Sequence, residues 1–222
     1  MYEFKHLYVE RLRRKYELSE KDYKVLYRLS HSIDNELRWE AAELLCDHYT
    51  PKAEKVLRRM TYDRCYIVRL NAVDSLCIGK AKKTLRRLYM LTKSKDELLR
   101  MYAYQSTNDI IGNRNIREET SRYLRWIQGG VLEKDSSDKV RLAMYGEFYK
   151  MGFGEYLSRF NEIVKKKIRK KENREVWLIL NILKSIMDDS DYDYNAIMEI
   201  LGSLRCIANP KQLQKIEKLM LC

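Results

Sequence analysis

The stretch Asp34-Asn35-Glu36-Leu37-Arg38-Trp39-Glu40-Ala41 decides how this chain reads, because its core is written again twice at a fixed interval. Leu37, Arg38 and Ala41 are followed by Val68, Arg69 and Ala72, and then by Leu99, Arg100 and Ala103. The arginines are separated by 31 residues both times. A looser copy, Val140, Arg141 and Met144, comes after a spacing of 41, with methionine in place of alanine, and the tail from Arg174 to Leu183 keeps a helical rhythm without the motif. The motif is an aliphatic residue, the arginine next to it and a small residue four positions after the first. Their regular return is the signature of stacked repeats, which bury their apolar faces against neighbouring copies.

Around this motif the composition is that of a helical protein. The 222 residues include only 2 Pro and 8 Gly, too few turn-formers for a β-rich fold. Start and stop signals predict helices near 2–16, 20–31, 34–48, 51–60, 64–78, 80–92, 95–111, 114–128, 137–150, 154–171, 173–187, 192–207 and 210–221. Ser19 with Asp22, Ser94 with Glu97 and Asn115 with Glu118 read as capping boxes or their relatives, and Thr50 before Pro51 places a hydroxyl cap ahead of a proline that needs no N–H. Gly79, Gly112 and Gly129 fall where helices are expected to stop. Ala53, Val56, Leu57 and Met60 mark one amphipathic helix, and Ala81, Leu85, Leu88 and Thr92 another. Val176 to Leu183 is apolar nearly all round, as in a helix covered on both sides. Short connections favour antiparallel hairpins.

Residues 34–41 and their copies resemble the aspartate, aliphatic, arginine, alanine core of HEAT repeats, in the short form of phycobilisome-lyase-type proteins; the resemblance is clearest over 34–111. It implies an all-α, right-handed α-α superhelix, or solenoid, of about six helical hairpins. The chain is expected to form one domain over 1–222, with 1–31 as an N-terminal cap and 190–222 as a C-terminal cap. In such repeats the alanine lets helices approach, and the arginine pairs with an aspartate or a carbonyl between layers. Arg38, Arg69, Arg100 and Arg141 are therefore either an internal ladder or the lining of a ligand surface.

Charge separates the two helices of each hairpin. The net charge is +12. First helices at 51–60, 80–92, 114–128 and 154–171 carry a combined +15, whereas second helices at 34–48, 64–78, 95–111 and 137–150 carry −3. Family geometry puts the second helices along the concave side. This implies a mildly acidic groove furnished with Tyr66, Arg69, Tyr102, Tyr104, Arg141 and Tyr145, suited to gripping another protein, since tyrosine buries much area at low entropic cost. Lys82, Lys83, Arg86 and Arg87, with Lys165, Lys166 and Lys167, are either a solvated face or a basic strip for nucleic acid, an anionic membrane or an acidic protein.

No pattern asks for a cofactor, a metal or a small-molecule substrate. His6, His31 and His48 lack companions at metal or triad spacing, and there is no phosphate loop or nucleophile elbow. Asp189, Asp191 and Asp193 mimic the start of a calcium loop, but Tyr194 and Ile200 stand where glycine and a bidentate glutamate belong; an acidic helix cap is the simpler reading. The five cysteines lack any Cys-x-x-Cys spacing, the N-terminal residues are charged, and no apolar run suits a membrane span, so the expectation is a cytoplasmic protein without membrane insertion. The leading expectation is a non-enzymatic adaptor, scaffold or immunity-type binding protein. The alternative is a nucleic-acid-binding solenoid using the basic strip, including a HEAT-like DNA glycosylase. That group's tryptophan-rich catalytic stretch is not evident, and Trp39, Trp126 and Trp177 read first as packing residues.

Overall fold

The computed structural model describes residues 2–79, 82–113, 122, 126, 130–188 and 191–221, without the side chains of residues 2–5 and 113. The expected helix at 114–128, the Asn115/Glu118 box, Gly129 and Asp189 lie outside the described residues, apart from Arg122 and Trp126 within that helix. The described residues are all-α: twelve helices and no strand. They are α1 (Tyr2–Arg13), α2 (Glu20–Leu29), α3 (Asn35–Asp47), α4 (Pro51–Met60), α5 (Tyr66–Asp74) and α6 (Lys82–Leu91). Then follow α7 (Glu97–Asn113), α8 (Asp138–Lys150), α9 (Glu155–Arg169), α10 (Val176–Met187), α11 (Tyr194–Leu204) and α12 (Pro210–Met220). None is long and apolar enough to cross a membrane.

Local chemistry accounts for most helix starts. Ser19 accepts from the Asp22 amide while Asp22 accepts from the Ser19 amide, closing the expected box. Thr50 accepts from Ala53 N at 3.0 Å ahead of Pro51, a cap whose loss costs about 1 kcal/mol. Ser137, Asp193 and Asn209 cap α8, α11 and α12 in the same way. Two expectations are corrected. The α7 amide of Leu99 is capped by Asp96, and Ser94 instead holds the Asp96 amide; Gly112 stands inside α7 rather than ending it, and α5 stops at Asp74, well before Gly79.

The chain divides into two compact units, Met1–Val131 and Leu132–Cys222. In the first, consecutive helices pack as hairpins, α2 on α3, α4 on α5 and α6 on α7, and the second helices also pack on one another, α3 on α5 and α5 on α7. The small residue of each repeat sits in those seams: Ala41, Ala72 and Ala103 are all fully buried. Leu37, Leu44, Leu57, Val68, Val73 and Leu88 fill the core around them. In the second unit α8 packs on α9 and α10, α9 on α11, and α10 on α12. Here the repeat's fourth small position is Met144, buried in the core, and close approach has moved to Gly146. A Cβ there would overlap Cγ2 of Ile182 on α10. Gly152, at φ +91°, turns the chain out of α8 in a conformation that other residues rarely adopt. Helix α10 is covered on one side, not on both: Val176, Ile179, Leu180, Leu183 and Ile186 are buried, but Trp177 is 43% exposed. It therefore does not pack as a core residue.

Candidate functional site

The three regular arginines share one geometry. Arg38 Nη1 donates to Ser32 O and Ile33 O at 2.8 and 2.9 Å, Arg69 Nη1 to Asp63 O and Arg64 O at 2.9 and 3.1 Å, and Arg100 Nη1 to Ser94 O and Lys95 O at 3.0 and 3.2 Å. Each guanidinium thus clamps the turn that precedes its own helix, satisfying carbonyls five and six residues back that the turn would otherwise strand. Arg38 also forms a bidentate pair with Asp63 of the next repeat at 2.7 and 2.8 Å. Burial works against the Asp63 charge, but the Arg38 hydrogen bonds, the bond from the Cys65 amide and the charges of Arg38 and Arg64 together outweigh it and hold its carboxyl below the usual range. Arg38 thus reaches between repeats as the ladder reading expects, whereas the Nη1 bonds of Arg69 and Arg100 stay within the turn before their own helix, and Arg69 remains half-buried at the surface.

Arg141 departs from the pattern. It donates to Asp138 in its own helix, and its Nε is buried without a partner. The buried cation of this region is Lys167, which reaches Asp138 at 2.9 Å, Glu172 at 2.8 Å and Glu175 at 3.2 Å. Burial disfavours its charge, yet the three carboxylates prevail and raise its pKa well above the usual lysine value.

The expected groove residues divide accordingly. Tyr104 is fully buried and Tyr145 nearly so, stacked on Tyr156 with ring centroids 5.5 Å apart; both are core residues and line no groove. Their helices turn those faces inward because α7 and α8 are packed by neighbours on more than one side. Tyr66 and Tyr102 remain half-buried at the surface of α5 and α7. The Tyr66 hydroxyl donates to Asp96 at 3.1 Å across the repeat, and Arg69 lies 5.5 Å over its ring. Beside them is a pair that sequence reasoning missed. Ile67 and Leu98, again 31 residues apart, occupy the second position of α5 and α7 and are 55% and 41% exposed. The signal was available: the third member of that series is Glu36, so the position is not one that the core requires to be apolar.

The basic strip also divides. Lys82, Lys83 and Arg86 are exposed on α6. Arg87 turns back to the preceding repeat, donating to Thr61 Oγ1 at 2.7 Å and Thr61 O at 3.0 Å, with its guanidinium 3.5 Å over the Tyr62 ring. Burial pushes its pKa down. Lys165 is exposed and Lys166 half-buried, while Lys167 is the buried ion-pair centre just described. Arg87 and Lys167 are thus tied into the fold and do not belong to a strip.

A cavity of about 530 Å³ opens beside the exposed α6 cations, lined by Lys82, Arg86 and Arg122, by Leu85 and Ile111, and by Tyr89 and Trp126. The last two rings are 4.6 Å apart at 57°. Another, of about 730 Å³, lies between α2 and α4 among Tyr23, Tyr27, Lys24 and Lys52, with Glu20 at its edge. Among the described residues no group of three or more histidine, cysteine or acidic side chains is placed to hold a metal. His6 rests between Asp34 and Glu40 at 3.7 and 3.3 Å, and His31 leans on Tyr27. Asp193 caps α11 through the Ala196 amide, as the acidic-cap reading expects.

Comparison of the chain with protein-family models and with curated protein sequences found no match.

Proposed function

We propose that this chain is a non-enzymatic binding module of the HEAT-like solenoid type, whose partner is another protein. The solenoid reading is supported by the packing of α3 on α5 and α5 on α7, and by the arginine clamp repeated at 31-residue intervals. The protein-partner reading rests on the exposed pair Ile67 and Leu98. Isolated apolar side chains are ordinary on a surface, but two at the same position of successive repeats, flanked by half-buried Tyr66 and Tyr102, form a repeated apolar edge of the kind that anchors protein interfaces. Four described cysteines, Cys46, Cys65, Cys77 and Cys206, are free thiols, which fits a reducing cytoplasm.

The test compares proteins retained by the wild-type chain with those retained by the Ile67→Glu/Leu98→Glu variant, after thermal melts establish that both fold alike. A specific partner lost only with the variant supports the reading. Identical retention removes the edge as the binding surface.

A further inference from the structure

The cavity between α2 and α4 carries a second and independent inference. Both helices pack on α3, and the space they leave between them, about 730 Å³, is the size of a small-molecule site. Leu45 of α3, only 2% exposed, joins Ala53 and Val56 of α4 in an apolar lining. Tyr23 and Tyr27 of α2 complete the wall, and both rings are held from outside the cavity. Tyr23 donates its hydroxyl to His48 O at 2.9 Å. Tyr27 meets the His31 ring edge-on with centroids 4.7 Å apart, and the Arg59 guanidinium lies 5.2 Å from its centroid. Thr50 Oγ1, also in the wall, already accepts from Ala53 N. With these hydroxyls engaged, the interior offers a ligand little to hydrogen-bond with, and a polar body would lose its water there without replacement. The body that fits is a hydrocarbon.

Charge selects the head group. Lys24, Arg28 and Lys52 also line the cavity and are all exposed, and against the carboxylate of Glu20 they leave the described lining at a net charge of +2. Every residue from 6 to 79 is described with its side chain, and among the described residues none of these three cations forms an ion pair. Lys24 and Arg28 stand one helical turn apart on α2, which puts their Cβ atoms about 5–6 Å from each other. Lys52 comes from the first turn of α4. A neutral or cationic amphiphile gains nothing from these cations, and an acidic polypeptide would bring backbone N–H and C=O groups against an apolar wall. We infer that this cavity binds a free amphipathic carboxylate, its alkyl chain against Leu45, Val56 and the tyrosine rings and its head group among Lys24, Arg28 and Lys52.

The experiment is isothermal titration calorimetry of the full chain with octanoate, decanoate and dodecanoate below their micelle-forming concentrations, at about 50 mM salt, where screening of exposed charges is modest. Decanol and decyltrimethylammonium carry the decyl tail under a neutral and a cationic head. Each extension by two methylenes should tighten carboxylate binding by about tenfold until the cavity is full. Decanoate should bind about tenfold or more tightly than either decyl control. The exposed-residue variant Lys24→Glu/Arg28→Glu should weaken decanoate by about tenfold and leave decanol unchanged. Val56→Trp fills the cavity and should abolish decanoate binding while its thermal melt stays cooperative. Decanoate should also raise the melting temperature of the wild type more than that of the charge-reversed variant, as a ligand of the folded state must. No binding of decanoate, an affinity independent of tail length, equal affinity for the three decyl head groups, or an affinity unchanged by the charge reversal would overturn the inference. So would phosphatidylglycerol vesicles or an amphipathic Glu/Leu peptide bound where decanoate is not, which would assign the cavity to a membrane or to a protein segment. Ile67→Glu/Leu98→Glu should leave decanoate binding intact, so failure here and failure of the protein-partner reading are separable.

Discussion

Arg38 and Arg141 stand in the same motif, yet they do different work. In the first unit Arg38 is buried, spans two carbonyls of its own turn and grips Asp63 of the next repeat through both oxygens. In the second unit Arg141 keeps to Asp138 three residues away, while Lys167 from α9 takes over the buried charge and gathers Asp138, Glu172 and Glu175. The alanine of the motif undergoes a parallel change. Ala41, Ala72 and Ala103 lie in the seams of the first unit, whereas in the second Met144 fills space and Gly146 admits Ile182. A repeat motif therefore specifies a need, a satisfied turn and a close seam, and the residue that meets it can migrate once the spacing lengthens from 31 to 41.

Substitution tests this division of labour, beginning with the largest expected effect. Lys167→Met leaves three carboxylates around a buried position and should cost about 3–5 kcal/mol in urea unfolding at pH 7. The cost should depend on pH in a set direction. Asp138 and Glu172 have depressed folded values, so their contribution is present above the unfolded carboxylate range near about 4 and is lost as acid protonates them. Lys167 has a raised folded value, so its contribution is present below the unfolded value of about 10.4 and is lost as pH rises through the folded one. The gap between wild type and variant should be widest between about pH 5 and 10 and close on either side. A gap independent of pH would mean that packing of the lysine stem, not its charge, matters.

Arg38→Met should cost about 3 kcal/mol, since it strands Asp63 and two carbonyls, and the same loss should be seen as faster amide exchange in the turn at 32–34. Gly146→Ala should cost about 1–3 kcal/mol by forcing the Ile182 side chain aside. Arg141→Ala closes the series at less than about 1 kcal/mol, because Asp138 keeps Lys167 and the lost pair is partly exposed. If Arg141→Ala instead matched Arg38→Met, the two copies would be equivalent and the comparison would fail.

The helices and their order were legible because caps and apolar spacing are local. Ser19, Thr50 and Asp193 act where their neighbours in sequence say they should, and the 31-residue period exposed Arg38, Arg69 and Arg100 as equivalent before any contact was known. The candidate surfaces were less legible. Tyr66 and Tyr104 are chemically alike, and only the way each faces the helices packed on α5 and α7 decides that one stays half-buried and the other is fully buried. Lys167 reads as one of a run of cations at 165–171, and the carboxylates that draw it inward come from three positions, one of them on the preceding helix.

What the sequence determined by itself was the all-α content, the repeat period and the charge difference between alternate helices, each of which follows from short-range stereochemistry or from simple composition. What only the tertiary structure decided was which member of each class is spent inside: Arg87 on Thr61 rather than beside Arg86, Tyr104 in the core rather than beside Tyr102, Gly146 in the seam rather than Met144. The physical reason is that burial and partnership depend on what packs from distant parts of the chain, and the side chain that faces a neighbour differs from the one that faces water by a rotation of about 100° along the helix.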